Sequence, residues 1–175
     1  MSVYQPESVS SIGRDGWWFV PTVAVKSAMT VAEATAVGGL QVNLAFKPGF
    51  GATTETNKVE DPRHGATKTY ESFGTSKDTL PDIVWIDRPQ DANAAVTAKH
   101  RDMLPDGTSG YLVNRRGIGS SSENLVAWTA SQRYSLYPVT FGPQTEQAPD
   151  EGGGPLTYTQ PVIVTGPVVK GTVAA

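Results

Sequence analysis

Cysteine is absent from the 175-residue chain. That excludes a disulfide framework and any thiolate metal site, so stability has to come from packing or from assembly. Leucine is scarce, with valine and threonine each more than twice as frequent. β-branched side chains lose rotamer freedom in helices and pack well on a pleated surface, so the composition points to a β-rich fold. Long apolar runs are missing too: no segment approaches the ~18 consecutive apolar residues of a membrane-spanning helix. Met1-Ser2-Val3-Tyr4-Gln5-Pro6-Glu7 has neither the basic region nor the apolar run of a signal peptide. The expectation is a protein made in the cytoplasm and kept there until something releases it. Charge of one sign is also lacking. The net charge is −3, and no run of Lys or Arg is longer than Arg115-Arg116, whereas gripping nucleic acid takes a basic stripe that displaces counterions. DNA binding is disfavoured; proximity to DNA is not.

At this length one domain is expected over residues 1–175, with flexible N- and C-terminal arms, burying roughly 70% of the surface that the unfolded chain exposes. Gly16 to Val25 is rich in aromatic and β-branched residues and reads as a strand, on an edge or bent at Pro21, which cannot donate to a ladder. Thr30-Val31-Ala32-Glu33 is a capping box for a short helix that Gly38-Gly39 stops. Leu40, Val42, Leu44 and Phe46 fall at period two, predicting a half-buried strand over 40–46. Asp82 to Asp87 reads as a core strand, and 91–103 as the main helix, with Lys99, His100 and Arg101 complementing its dipole. Further strands are expected at Tyr111–Arg116, Leu125–Ser131, Arg133–Phe141 and Gln160–Thr165, with 142–155 a glycine-rich linker. No period of 20 to 50 residues repeats, which excludes solenoids and propellers.

The most informative stretch is Lys47 to Thr67, polar, with Pro48-Gly49, Gly51, Asp61-Pro62 and Gly65 and with charges that alternate in sign. About twenty residues without a core pattern is long for a connection within a compact domain, and such loops are usually functional. Mixed charge suits docking onto another protein better than holding a phosphate or metal. Beyond it, Thr67, Thr69 and Glu71 alternate with Lys68, Tyr70 and Ser72, giving a strand polar on both faces, which suits the wall of a wet space.

Candidate chemistry is sparse. His64 and His100, the only histidines, share no element with ligand-spaced partners and read as a loop surface residue and a helix C-terminal cation. Asp82 and Asp87 are five positions apart, so a strand points them to opposite faces rather than pairing them for acid/base work. Gly117-x-Gly119 lacks the third glycine of a dinucleotide fingerprint, and Ser120 to Ser122 have no base within sequence reach. Asp150-Glu151-Gly152 lacks the oxygen spacing of a calcium loop. Trp17, Trp18, Trp85 and Trp128, with several tyrosines, fit either a stacking platform for sugars or single strands, or core and interface packing; packing is the commoner use.

Three landmarks in order carry a family resemblance. They are Trp18-Phe19-Val20-Pro21-Thr22-Val23, Thr30-Val31-Ala32-Glu33-Ala34 running into Gly38-Gly39-Leu40, and Asp106-Gly107-Thr108-Ser109-Gly110-Tyr111-Leu112-Val113-Asn114-Arg115-Arg116-Gly117. Across nearly the whole chain the pattern resembles the major tail tube proteins of bacteriophages with long, non-contractile tails. The resemblance implies a mainly β fold, a β-sandwich or barrel with one flanking α-helix and a long inter-strand loop. It implies six copies closing into a ring by strand pairing, and rings stacking into a tube in the virion tail. DNA would be ejected through the channel without specific binding. The partners implied are other copies of the chain and the tape measure, tail terminator and distal tail proteins, with no cofactor, no metal and no catalysis.

The function expected is therefore a structural tail-tube subunit. Phe50, Lys58, Glu60, Asp61 and Arg63 are the expected ring-to-ring contacts. Thr67, Thr69 and Glu71 are the expected lumen-facing residues, although a one-residue register slip would select Lys68, Tyr70 and Ser72 instead. The alternatives are a carbohydrate-binding β-sandwich module and another ring-forming virion protein, such as a tail terminator or head-tail connector.

Overall fold

The computed structural model describes residues 14–62, 64, 67–90, 99–118 and 127–174. Its strands are β1 (Asp15–Val20), β2 (Leu40–Gln41), β3 (Thr53–Asp61), β4 (Tyr70–Thr79), β5 (Ile83–Ile86), β6 (Ser109–Arg116), β7 (Arg133–Phe141), β8 (Thr145–Glu146), β9 (Thr157–Gln160), β10 (Val162–Val164) and β11 (Val169–Thr172); its helices are α1 (Val31–Ala34) and α2 (Lys99–Met103). The mainly β class is as expected. Among the described residues the architecture is three separate antiparallel sheets and not a closed barrel: a large sheet in the order β10-β7-β6-β1-β2, with β11 also on β7, a small sheet β5-β9-β8, and a hairpin β3-β4.

The large sheet is buried on both faces, which explains the unbroken apolar run of β1. Trp17 and Phe19 point to one side, Trp18 and Val20 to the other, as period two requires. β1 stops at Val20, immediately before Pro21. β7 is central although it contains Pro138. Its outer edge is shared by β10, which pairs through Val139, and β11, which pairs from Leu136. The residue without an N–H thus sits at the gap between two partner strands, and its carbonyl accepts from the Thr165 amide at 2.9 Å. Pro161 breaks the strand expected over Gln160–Thr165 into β9 and β10, which lie in different sheets.

One core lies between the large and small sheets, where Trp17, Phe19, Leu112 and Phe141 meet Ile83, Trp85, Tyr158 and Leu104. The buried Gln160 amide is satisfied throughout. It accepts from Trp85 Nε1 at 3.1 Å and donates to the carbonyls of Leu104 (2.8 Å) and Gly142 (3.0 Å). His100 is not the exposed cation expected from its place near a helix end. It is 3% exposed, its ring lies parallel to Trp85 at 5.0 Å and to Tyr158 at 5.9 Å, and Nε2 donates to the Ile86 carbonyl at 3.1 Å. Burial holds its pKa below the ordinary value, against the opposing pull of that carbonyl and of Asp87. Arg101 faces outward and pairs with buried Asp87 and with Glu146. Asp82, by contrast, is exposed.

The second core covers the other face of the large sheet with Trp18, Val20, Val113 and Leu136 against Met29, Ala34 and Val173. Arg115 is fully buried there, its guanidinium 4.6 Å from the Trp18 ring and 4.5 Å from the Trp128 ring. Nη1 donates to the Ala127 carbonyl and to Gln132 Oε1. These bonds, with Trp128 turned into the core, hold the described part of the strand expected over Leu125–Ser131 as irregular chain; Leu125 and Val126 lie outside the described residues. Burial lowers the Arg115 pKa.

Two further expectations change. The strand predicted over 40–46 ends at Gln41: the Val42 amide still donates to the Trp17 carbonyl in register with β1, and the chain then turns, with the Ala45 amide on the Val42 carbonyl. Phe46 bridges to Trp85, and Leu44 is exposed. The helix predicted over 91–103 is seen from Lys99; 91–98 lie outside the described residues. The capping box is as read. The Glu33 amide donates to Thr30 Oγ1, and Glu33 Oε2 accepts from the Thr30 amide at 2.7 Å. Glu33 also accepts from the Ala24 amide, and these bonds hold its pKa below the usual value.

β11 closes the fold through a close approach. Tyr134 lies opposite Gly171, its hydroxyl accepting from the Met29 amide at 2.7 Å and donating to the Lys26 carbonyl at 2.8 Å. A Cβ on residue 171 would stand 2.5 Å from the Tyr134 hydroxyl and 2.7 Å from the Ser27 carbonyl oxygen. Gly171→Ala should therefore cost about 1–3 kcal/mol in urea unfolding, as overpacking does. His100 gives a pH signature. Its folded pKa is depressed, so the unfolded chain binds the extra proton, and stability falls as pH drops below about 6.5. His100→Gln, which can still donate to Ile86, should flatten the loss of thermal stability between pH 7.5 and 5.5.

Candidate assembly surface

The stretch expected to be a long loop followed by a polar strand is one structure, the β3–β4 hairpin. Its sequence builds strands without a core because threonine favours extended backbone and its hydroxyl pairs across the ladder. Thr53 bonds Thr79 at 2.8 Å, Thr54 bonds Asp78 at 2.5 Å and Thr56 bonds Ser76 at 3.0 Å. Between Thr56 and Lys58 the register shifts, with Asn57 facing Gly74 and Thr75 in a β-bulge. A Cβ on Gly74 would stand 2.9 Å from Val59 Cγ2 and 3.3 Å from the Asn57 carbonyl oxygen, so a larger residue there has to displace the exposed Val59 side chain.

All nine residues of β3 and the first eight of β4 are exposed. A two-stranded hairpin alone is marginal in water, so this one depends on its root. Before β3, Phe50 meets Trp17 edge-on at 4.9 Å and Phe46 at 5.2 Å; after β4, Leu80 is buried in the core between the sheets. Both strands thus leave from core-anchored residues.

Two faces result. One carries Thr53, Glu55, Val59 and Asp61 with their partners Thr79, Lys77, Ser72 and Tyr70; the other carries Lys58 with Phe73 and Glu60 with Glu71. Lys58 Nζ lies 3.2 Å from Glu71 Oε2. Glu60 lies directly opposite Glu71, a like-charge pair that weakens an isolated hairpin. Phe73 is 83% exposed, and Val59 and Tyr70 are also largely exposed. Val59 and Tyr70 stand on one face of the hairpin and Phe73 on the other.

The expected site residues therefore fall at three levels of this hairpin. Phe50 is half-buried at its root, Lys58, Glu60 and Asp61 lie on the outer part of β3, and Arg63 lies outside the described residues. Thr67 and Thr69 lie in the connection before β4, and Glu71 lies on β4. Glu71 shares a face with Lys58 and Glu60, so residues assigned from sequence to separate surfaces are two strands of one element. Phe73 is not among the residues expected from sequence; its signal is a lone phenylalanine within a run of Ser, Thr and charged residues. All four indoles are buried, leaving no tryptophan platform for stacking a sugar. Among the described residues no three His, Asp or Glu side chains cluster as a metal site.

The family model described as phage tail tube protein matches residues 3–175. No curated protein matches the chain.

The root can be separated from the exposed face by mutation. Phe50→Ala should cost about 2 kcal/mol, less than the 3–5 of a fully buried phenylalanine, and should speed amide exchange in β3 and β4. Phe73→Ala should leave the urea midpoint unchanged within about 0.5 kcal/mol.

Proposed function

The chain belongs to the phage tail tube protein family, and from that premise we propose that the β3–β4 hairpin is the arm by which one subunit grips the next along the tail. The protein is a structural subunit of the tail tube and part of the virion tail. Membership carries self-assembly and association with other tail proteins. In the fuller picture proposed here, residues 1–175 act as one domain with terminal arms. Six copies close into a ring, rings stack around a channel for DNA, and the tape measure, tail terminator and distal tail proteins meet the stack. The role is non-catalytic.

One observation supports the arm most directly: a hairpin exposed on both faces, rooted in the core, that carries an 83%-exposed phenylalanine. Such an element contributes little to a lone subunit and gains a partner only in an assembly. Lys58, Glu60, Asp61 and Arg63 are its proposed contact residues, with Phe73 added and Phe50 as the anchor. Thr67, Thr69 and Glu71 belong to the same arm, so a lumen-facing role for them needs the outer end of the arm to line the channel. The face that Glu71 shares with Lys58 favours contact for Glu71.

Replacing residues 54–78 with an Asn-Gly turn tests the arm. The variant should fold, with a thermal midpoint within about 4 °C of the parent, the shift of roughly 1 kcal/mol at this size. It should form no tubes by negative-stain electron microscopy under conditions where the full chain does. Tubes of ordinary length from the shortened chain would remove the arm from the mechanism.

A further inference from the structure

Beyond the core between the sheets, the same face of the large sheet continues into a polar trough of about 630 Å³ that crosses β6, β7 and β11. Cross-strand register builds it in two rows. Asn114, Ser135 and Lys170 form one row, because Asn114 pairs with Ser135 and Ser135 with Lys170. Thr172 pairs with Arg133, two residues before Ser135, and Arg116 lies two residues beyond Asn114, so the second row shares that face. Arg116, Arg133 and Lys170 are exposed. Asp15 stands 3.7 Å from Arg116 Nε and also takes the Asn114 amide at 2.7 Å. Among the described residues, Arg133 and Lys170 have no ion-pair partner. The trough therefore gathers three cations against one carboxylate.

The strands of the hairpin lean the other way. They hold Glu55, Glu60, Asp61, Glu71 and Asp78 against Lys58 and Lys77, and the connection between them adds Arg63 and Lys68. Glu60 and Glu71 oppose each other directly on one face. Like charges directly across a ladder repel; Lys58 stands 3.2 Å from Glu71, and among the described residues Glu60 has no ion-pair partner, so a cation from outside relieves that acid. The acids stand seven residues out from Thr53, roughly 24 Å beyond the root at strand rise. No hairpin residue lines the trough of its own subunit.

We propose that the Arg116, Arg133 and Lys170 trough of one copy receives the Glu60 and Glu71 face of the hairpin of a neighbouring copy. This rests on the hairpin being the contact arm, and it names the surface that the arm meets. Donor and acceptor surfaces lie at different places on one chain, so the contact is heterologous and each docked copy presents a fresh trough or a fresh arm. Because the charged groups are exposed, the contact weakens with salt.

The absence of native cysteine allows a direct test in the full chain. A Glu71→Cys, Lys170→Cys double variant, oxidised in concentrated low-salt solution, should give a ladder of disulfide-linked multimers, whereas each single variant gives at most a dimer. Arg133→Glu with Lys170→Glu should cut the sedimenting fraction about tenfold, as should Glu60→Lys with Glu71→Lys, the scale of two exposed ion pairs made repulsive. All four substitutions together should restore it. If excising residues 54–78 abolishes assembly while the ladder is absent and the charge reversals are neutral, the arm stands and the trough is wrong. If the excised chain assembles normally, the arm falls with it. Duplex DNA retained by the parent chain and released by Arg133→Glu with Lys170→Glu, with assembly unchanged, would make the trough a phosphate site and overturn the proposal.

Discussion

Burial of the large sheet on both faces is the constraint on which the other features depend. A sheet with one wet face reads as alternating apolar and polar residues; β1 instead runs Gly16-Trp17-Trp18-Phe19-Val20, and each face needs its own cover. The small sheet and α2 supply one cover, and α1 with the segments around Met29 and Val173 supplies the other. Meeting that demand draws most of the large apolar side chains into two cores. What is left for 53–79 is threonine, serine and charge, with Val59, Tyr70 and Phe73 standing out from it.

The hairpin follows from that division. It has strand propensity and cross-strand hydroxyl pairs but nothing beneath it, so its order is borrowed from Phe50 and Leu80 at the root. In the proposed assembly, a hairpin rooted in this way would lose little freedom on docking, which is how preorganisation favours association. The same economy applies to the charges. The strands of the hairpin hold more acids than lysines, and among the described residues Arg133 and Lys170 of the trough have no ion-pair partner.

Buried polar groups tie the covers to the sheet. Gln160 links Trp85 in the small sheet to the Leu104 and Gly142 carbonyls, while Arg115 lies against two indoles and draws 127–132 onto the large sheet. Such networks are costly when half satisfied, so they select one arrangement of loops that have no regular hydrogen bonding of their own. In a subunit that must present the same surfaces copy after copy, that selectivity has a use.

Much of this was legible in the residues. The capping box at Thr30, the strands around Tyr111 to Arg116 and Arg133 to Phe141 and the exposure of the polar residues from Thr53 on follow from local chemistry: an N-cap with its partner three residues on, period-two burial and a run too polar to pack. Pro21, expected to bend a strand running on to Val25 or to hold it at an edge, instead follows its last residue. The failures share a different cause. Leu40 to Phe46 alternates properly yet leaves the sheet after Val42, whose carbonyl accepts the Ala45 amide in a turn. His100 sits where a helix welcomes a cation, yet Trp85 and Tyr158 bury its ring. Glu71 and Lys58 lie thirteen positions apart and meet only because β4 folds back on β3. Sequence alone determined which segments extend, where they stop and which stretch stays outside the core, since those depend on each residue and its near neighbours. Only the tertiary structure decided which polar groups are buried, which charges share a face and where the acids and cations gather, because those depend on partners brought together from distant parts of the chain.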